Sequence, residues 1–467
     1  MLTRGGPAAS VSSNMAAPLP GRCGFFVEKK KRFCKMIVGK GKLFCGEHAT
    51  MEGGGASRRI VCPLDPKHTV SEDQLRKHLK KCNSREKPRP VYYVENINAG
   101  SADQEDRPQV SLSERSSSEL QSLVDKLRTA VKGLQCDVDD RVLSHPALQD
   151  ELNNPKNGDS AHKHLKQQSS ILGHLEELGL LGGGRCFVEF GAGRGKLSHW
   201  IHEALKAHQD LQLLLVERCS TRFKVDGKHQ EEGVQFERLQ LDIQHLDLSK
   251  VLMVRQKRLP IVGVGKHLCG AATDLALRCL LGTPGPGEET EPPQKRLKPE
   301  PSGPRPGDSL ETAAPDSGPG PSSGPVLGLA VALCCHHRCE WRHYVGQQFF
   351  LQRGLGAAEF SAFCRMSSWA TCGLRPTNQD WPPPDLTNQR GDDEEHVPAD
   401  ETDAVNGFLP PAERQHVGRL CKLLIDAGRR HFLKTKGFNS KLSRYVNMKE
   451  TLENVLLTAV PSSCTSS

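Results

Sequence analysis

Cys186-Phe187-Val188-Glu189-Phe190 runs directly into Gly191-Ala192-Gly193-Arg194-Gly195, and Lys196-Leu197-Ser198 then opens a helical stretch reaching about residue 207. A short apolar run bounded by glycines reads as a strand buried on both faces. Glycines at alternate positions permit positive φ and close approach of backbone to a ligand. The helix that follows points unpaired N–H groups at whatever sits over the turn. A strand buried on both faces needs helices above and below it, so this segment predicts an α/β domain. Further apolar runs predict strands at 213–216, 237–241, 261–265, 327–333 and 454–460, with helices at 119–131 and 411–436.

The spacing of the glycine turn excludes one ligand class and resembles the motif of another. A dinucleotide fingerprint needs a third glycine five places after Gly191, and Lys196 stands there. The third glycine comes one place earlier, giving E-x-G-x-G-x-G from Glu189. That spacing resembles motif I of the S-adenosylmethionine-dependent methyltransferases. Glu217 ends the second strand, where an acid can accept both ribose hydroxyls of a nucleoside, and Asp242 follows the third. By the resemblance, Glu189, Gly191, Gly193, Gly195, Glu217 and Asp242 bind S-adenosyl-L-methionine, with Asp242 reading the adenine amino group. The fold implied is a Rossmann-like methyltransferase domain. Glu217 and Asp242 are otherwise ordinary charges at strand ends.

A different chemistry occupies the front of the chain. Cys23, Cys34, Cys45 and His48 are spaced C-x10-C-x10-C-x2-H, and Cys62, His68, His78 and Cys82 are spaced C-x5-H-x9-H-x3-C. Thiolate and imidazole are the ligands of tetrahedral zinc, and two four-ligand sets with no open position predict two structural Zn2+ sites. Ser71 is placed to cap a helix over 72–82, which would set His78 and Cys82 on one face as i and i+4. Phe25, Phe26, Phe33 and Phe44 read as packing around the first ion, or as stacking surfaces for single-stranded RNA. Residues 1–90 hold 19 Lys and Arg against 7 Asp and Glu, a net +12, so with +8 overall the remainder carries −4. A basic head on a near-neutral body suggests a polyanion-binding module.

Lys266-His267-Leu268-Cys269-Gly270 follows the fourth strand, and Cys334-Cys335-His336-His337-Arg338-Cys339 follows the fifth. Strand carboxyl ends line the ligand crevice of an open α/β sheet, so Lys266, His267 and Cys269 are expected to face it. Lys266 and His267 are the first candidates to assist a hydroxyl nucleophile, with His336 and His337 behind them, and Lys266 can equally hold a phosphate. These Cys and His residues also raise a third metal, which methyl transfer from a sulfonium does not require.

With both metal sets, the glycine turn, Lys-His-Leu-Cys-Gly and Cys-Cys-His-His in one order, the chain resembles the eukaryotic tRNA 2'-O-methyltransferases that modify position 4 of the acceptor stem. The first set resembles that family's Cys-Cys-Cys-His finger. The second resembles the Cys-His-His-Cys finger also seen in a minor-spliceosome ribonucleoprotein. The resemblance implies methylation of the ribose of nucleotide 4 in tRNAs such as those for Gly, Pro and His. Two rivals stand beside it. Cytosine-C5 methylation of RNA would use Cys269 or Cys334 and Cys335 as nucleophile, and a noncatalytic RNA-binding protein would keep the fold as a relic.

The domain reading is a disordered tail (1–20), a CCCH finger (21–50), a CHHC finger (58–84), a linker (85–118) and the methyltransferase domain (119–467). Pro-, Gly- and Ser-rich or acidic insertions at about 283–325 and 377–403 are expected to be disordered. No apolar run approaches the ~20 residues of a membrane span. The first residues lack a secretory pattern, so the expected location is nuclear, cytoplasmic or both, where 17 cysteines stay reduced.

Overall fold

The computed structural model describes residues 18–28, 32–39, 41–45, 48, 59–82, 85, 89–100, 110–134, 138–208, 210–219, 234–282, 324–371 and 408–462. Most of the 1–20 tail, the 283–325 insertion up to residue 323 and the whole 377–403 stretch lie outside these residues. The chain forms two compact units, Met1–Arg89 and Pro90–Ser467.

Among its described residues, the first unit has little regular structure. β1 (Phe26–Val27) pairs with β2 (Arg32–Phe33), and β3 (Arg59–Cys62) pairs with β4 (Asp65–Ser71), all antiparallel. A 3-10 turn at Glu72–Gln74 then leads into α1 (Leu75–Leu79). Among its described residues, the buried apolar side chains are Cys23, Cys45, Cys62, Cys82 and Val70. Four of those five are thiols, so the described interior of this unit is mostly its metal-ligand candidates. A segment this short cannot draw its stability from an apolar core.

The second unit is built on one mixed sheet of eight strands. β5 (Val138–Asp140), β6 (Arg185–Phe190), β7 (Leu211–Glu217), β8 (Val234–Gln240), β9 (Ile261–Cys269), β10 (Val326–Cys334), β11 (Phe438–Arg444) and β12 (Val455–Pro461) lie in the order β5-β11-β12-β10-β9-β6-β7-β8. β6 to β10 are parallel to one another, and β12 alone runs against the other seven. The helices are α2 (Ser117–Val131), α3 (Gln149–Leu152), α4 (Asp159–Glu177), α5 (Lys196–Ala204), α6 (Leu252–Lys257), α7 (Ala271–Leu281), α8 (Gln347–Leu351), α9 (Ala357–Ser367) and α10 (Pro411–Thr435).

Alternate residues of each central strand feed opposite cores. Val188, Phe190, Leu214, Val216, Leu329 and Val331 pack with residues of α6 and α7. Phe187, Leu213, Leu215, Val262, Val264 and Ala330 pack with α4 and α5. This two-sided burial explains why β6, β7 and β10 read as continuous apolar runs. A third core joins α2, α8, α9 and α10 around Trp341, Tyr344, Phe350 and Phe360. Ser116 caps α2 by accepting from the Glu119 amide while the Glu119 carboxylate accepts from the Ser116 amide. Among the described residues no helix is long and apolar enough to cross a membrane.

α10 carries charge into the interior. Arg429, 1% exposed, donates to Asp274 Oδ2 at 2.7 Å and to Asp426 Oδ1 at 2.9 Å. His336 Nε2 lies 2.9 Å from both oxygens of Asp426. Burial alone would raise the Asp426 carboxyl, but His336 and Arg429 outweigh it and hold it below its ordinary value. His336, a reserve candidate for assisting the reaction, thus sits in a buried ion network linking α7, the segment after β10, and α10. Arg429→Ala would leave two buried carboxylates short of a partner, which costs about 3–5 kcal/mol. It should lower the thermal midpoint by roughly 5–10 °C. A calorimetric midpoint within 1–2 °C (about the effect of a surface change) would contradict this.

Candidate active site and metal centres

In the first unit each predicted ligand set converges, with the four donor atoms of each within 4.8 Å of one another. Tetrahedral zinc with bonds of ~2.3 Å to sulfur and ~2.05 Å to nitrogen requires edges of about 3.8 Å (S to S), 3.5 Å (S to N) and 3.3 Å (N to N). In the second set Cys62 Sγ lies 3.8 Å from Cys82 Sγ and 3.3 Å from His78 Nε2. His68 Nε2 lies 3.6 Å from Cys82 Sγ and 3.1 Å from His78 Nε2. In the first set His48 Nδ1 lies 3.4 Å from Cys23 Sγ and 3.3 Å from Cys45 Sγ. Both donor sets therefore fit zinc.

Supporting contacts orient these ligands. Asp65 Oδ2 lies 3.3 Å from His68 Nδ1, fixing the imidazole from behind. Phe25 stacks on the His48 ring at 3.9 Å between centroids, so its face is used in packing. Burial raises the Cys23 thiol, but the Cys45 and Phe25 backbone and the His48 and Cys45 side chains together bring it down to about 7. The expected helix over 72–82 is shorter than its spacing suggested. α1 ends at Leu79 and the Ser71 side chain makes no cap bond, so Cys82 arrives from the turn after the helix.

In the second unit the turn after β6 is left-handed three times, with φ of 61°, 48° and 75° at Gly191, Gly193 and Gly195. A Cβ at Gly191 would meet Leu268 at 2.9 Å, and one at Gly195 would meet Leu215 at 2.7 Å. At Gly193 a Cβ would find open space, so the backbone there is bared as a cradle. Glu217, ending β7, accepts the Gly193 amide at 2.9 Å and the Cys219 amide at 2.8 Å, one on each oxygen. Each oxygen keeps a second lone pair, so the carboxylate can still receive two hydroxyls. Arg238 on β8 donates to the Gly193 carbonyl at 2.9 Å. These residues fit a nucleoside carrying adjacent ribose hydroxyls.

Glu189 and Asp242 sit differently. Glu189 is 3% exposed and accepts from the Ser198 amide at 2.9 Å and from the Ser198 hydroxyl, tying β6 to α5 beneath the turn. Burial pushes its carboxyl up to about 7, against the opposing pull of Ser198, Arg238 and Lys266. Asp242 caps the short helix Ile243–His245 by accepting from the Gln244 amide at 3.0 Å and faces Arg218 at 3.4 Å.

β9 is longer than its apolar run. It continues through Lys266, His267 and Cys269, so these residues lie in the strand itself. The strand bulges there, since Ala332 pairs with Lys266 while Leu333 pairs with Leu268. The extra residue, His267, adopts φ 62°, which costs a non-glycine residue about 1–2 kcal/mol. Lys266 Nζ lies 3.0 Å from both His164 Nδ1 and Gln167 Oε1, and His267 Nε2 lies 3.1 Å from that same Gln167 oxygen. His164 and Gln167 come from α4, and sequence reasoning missed both. The available signal was the polar run Gln167-Gln168-Ser169-Ser170 in a helix that must cover the sheet, and all four residues are buried.

Comparison with known proteins places these features together. The family model described as Methyltransferase TRM13 matches residues 166–460. The CCCH zinc finger in TRM13 protein matches residues 21–49, and the U11-48K-like CHHC zinc finger matches residues 59–83. The chain is 52% identical to a Mus musculus protein named tRNA:m(4)X modification enzyme TRM13 homolog, over 97% of each chain. It is 53% identical to the Homo sapiens protein of the same name over 95% of each. It is 28% identical to tRNA:m(4)X modification enzyme TRM13 of Yarrowia lipolytica, over 92% of this chain and 87% of that one. No solved structure matches the chain.

The raised Glu189 carboxyl carries a consequence for stability. Its native form keeps a proton that the unfolded chain releases near 4.5, so native stability falls as pH rises from about 4.5 to about 7. Glu189→Gln removes this slope and should gain about 3 kcal/mol on the wild type between pH 4.5 and pH 8. Urea midpoints of the two proteins at both pH values test this, and parallel profiles would contradict it.

Proposed function

The chain belongs to the TRM13 methyltransferase family, and on that premise we propose that it methylates the ribose 2'-hydroxyl of nucleotide 4 in the tRNA acceptor stem. The proposed substrates are tRNAs such as those for Gly, Pro and His. The observation that carries the reading is one sheet edge holding both a glycine turn braced by Glu217 and a lysine fixed by His164 and Gln167. The strand order, with a single reversed strand at β12, supports a Rossmann-like methyltransferase domain.

S-adenosylmethionine, when bound, supplies a methyl group already activated on a sulfonium. Gly191, Gly193 and Gly195 would admit it close to the backbone, Glu217 would take its ribose hydroxyls, and Asp242 would meet its base. Glu189 acts from below, holding the first turn of α5 through Ser198. Lys266 is kept in one position by two partners, so its charge can stabilise the oxyanion that develops as the 2'-oxygen is deprotonated. His267, which shares the Gln167 oxygen, would take that proton while Lys266 stays charged. The two fingers would each hold a structural Zn2+ through the eight ligands named above. The net +12 of residues 1–90 suits contacts to tRNA phosphates. A tRNA substrate fits a nuclear or cytoplasmic location.

Cys334 as the nucleophile that cytosine-C5 methylation needs finds no support. Cys334 lies 3.7 Å from Cys269 and 3.2 Å from Cys335, and these neighbouring thiols push its own thiol far above the ordinary range. A thiol held protonated is a poor nucleophile.

The test is full-length protein with labelled S-adenosylmethionine and an unmodified tRNA-Gly transcript, followed by alkaline hydrolysis. A single missing rung at nucleotide 4 is expected, since a 2'-O-methyl blocks attack on the adjacent phosphate. Label incorporated with the ladder intact would overturn the reading. Lys266→Met should lower kcat by about 10²-fold or more with little change in KM for the cofactor. Glu217→Ala should chiefly raise that KM.

A further inference from the structure

The three thiols at the ends of β9 and β10 are left over from this reaction. Cys269, Cys334 and Cys335 bring their sulfurs within 4.8 Å of one another. Two irregularities of the backbone produce that meeting. Without the bulge at His267, Cys269 would fall out of step with Cys334 and its side chain would cross to the other face of the sheet. With the bulge, Cys269 stands opposite Cys334, sulfur to sulfur at 3.7 Å. Adjacent residues of a strand point to opposite faces, so Cys334 and Cys335 should also diverge. Cys335 instead adopts φ 49°, a left-handed conformation disfavoured for any residue but glycine, and its sulfur turns back to 3.2 Å from that of Cys334.

Two strained non-glycine residues, His267 and Cys335, therefore share one outcome, which is a cluster of three thiols. Strain of this kind persists where the surroundings use it. Between thiols the sulfur-to-sulfur contacts are only weak hydrogen bonds. A soft cation would bind the same three sulfurs far more strongly, since thiolates are its ligands. The Cys269–Cys334 separation is close to the 3.8 Å between Cys62 and Cys82 in the second finger and to the edge of about 3.8 Å expected of thiolates on tetrahedral zinc, while the 3.2 Å between Cys334 and Cys335 is shorter and must open on binding.

We propose that Cys269, Cys334 and Cys335 form a third zinc site, distinct from the two fingers, with three protein thiolates among the described residues and one open coordination position. Binding releases the thiol protons to solvent. The open position is the mark of sites that bind an exogenous oxygen, and it separates this centre from the four-ligand fingers.

Zinc is counted by mass spectrometry on full-length protein purified without chelator. Three ions per chain are expected, one for each cluster. Cys269→Ser with Cys335→Ser should remove one ion, as should His78→Ala with Cys82→Ser, and the two losses should add. Two ions in the wild type, or an unchanged count in the Cys269 and Cys335 variant, would overturn the proposal. An anomalous difference map at the zinc edge, from crystals of the wild type, gives an answer that does not depend on how the variants fold. A peak about 2.3 Å from all three sulfurs supports the site, and its absence from crystals with occupied fingers rejects it.

Discussion

The carboxylate of Glu217 receives two backbone amides, one from the glycine turn after β6 and one from the segment after β7. That contact fixes the separation of two neighbouring strand ends, and the arrangement of the edge follows from it. A turn of three left-handed glycines has no side chains to hold it in shape. It is held from outside, with Glu189 gripping the start of α5, Glu217 gripping the Gly193 amide and Arg238 the Gly193 carbonyl. The first acid is buried and pays for its burial with a raised pKa, while the second stands at the open edge with lone pairs to spare. Two carboxylates on adjacent strands thus differ in depth, one buried beneath the turn and one beside it.

The neighbouring half of the same edge is shaped by register. β9 and β10 are parallel and apolar until the bulge at His267, after which they carry Lys, His and Cys side chains. The bulge turns Lys266 and His267 toward α4, where Gln167 contacts both. Beyond the edge, Arg429 bridges Asp274 and Asp426 and so fixes α10 to α7 and to the segment after β10. Backbone strain at the edge is tolerable because packing and buried ion pairs determine the positions of the elements that meet there.

Much of this was legible in the sequence, for definite physical reasons. Strands buried on both faces must be apolar throughout, so β6, β7 and β10 stood out. Chelation demands fixed residue types at short spacing, so both finger sets could be picked out. β11, with sequence Phe-Asn-Ser-Lys-Leu-Ser-Arg, was not found, because it lies near the sheet's edge and buries few apolar side chains. The three-residue β5 was too short to show any period. α4 was hidden because the buried run Gln167-Gln168-Ser169-Ser170 interrupts its apolar stripe. His164 and Gln167 reach Lys266 across about a hundred residues of chain, a distance over which local spacing carries no information. The bulge at His267 likewise depends on pairing with β10, and no local pattern announces it.

We propose that a single sheet edge holds the methyl donor at β6 and β7 and presents the acceptor ribose to Lys266 on β9. A crystal structure of the full chain with S-adenosylhomocysteine tests it most directly. The account predicts the nucleoside over Gly191–Gly195, its ribose hydroxyls on the Glu217 carboxylate, and its sulfur on the side of Lys266. A nucleoside bound away from the glycine turn, or one whose ribose makes no contact with Glu217, would contradict it.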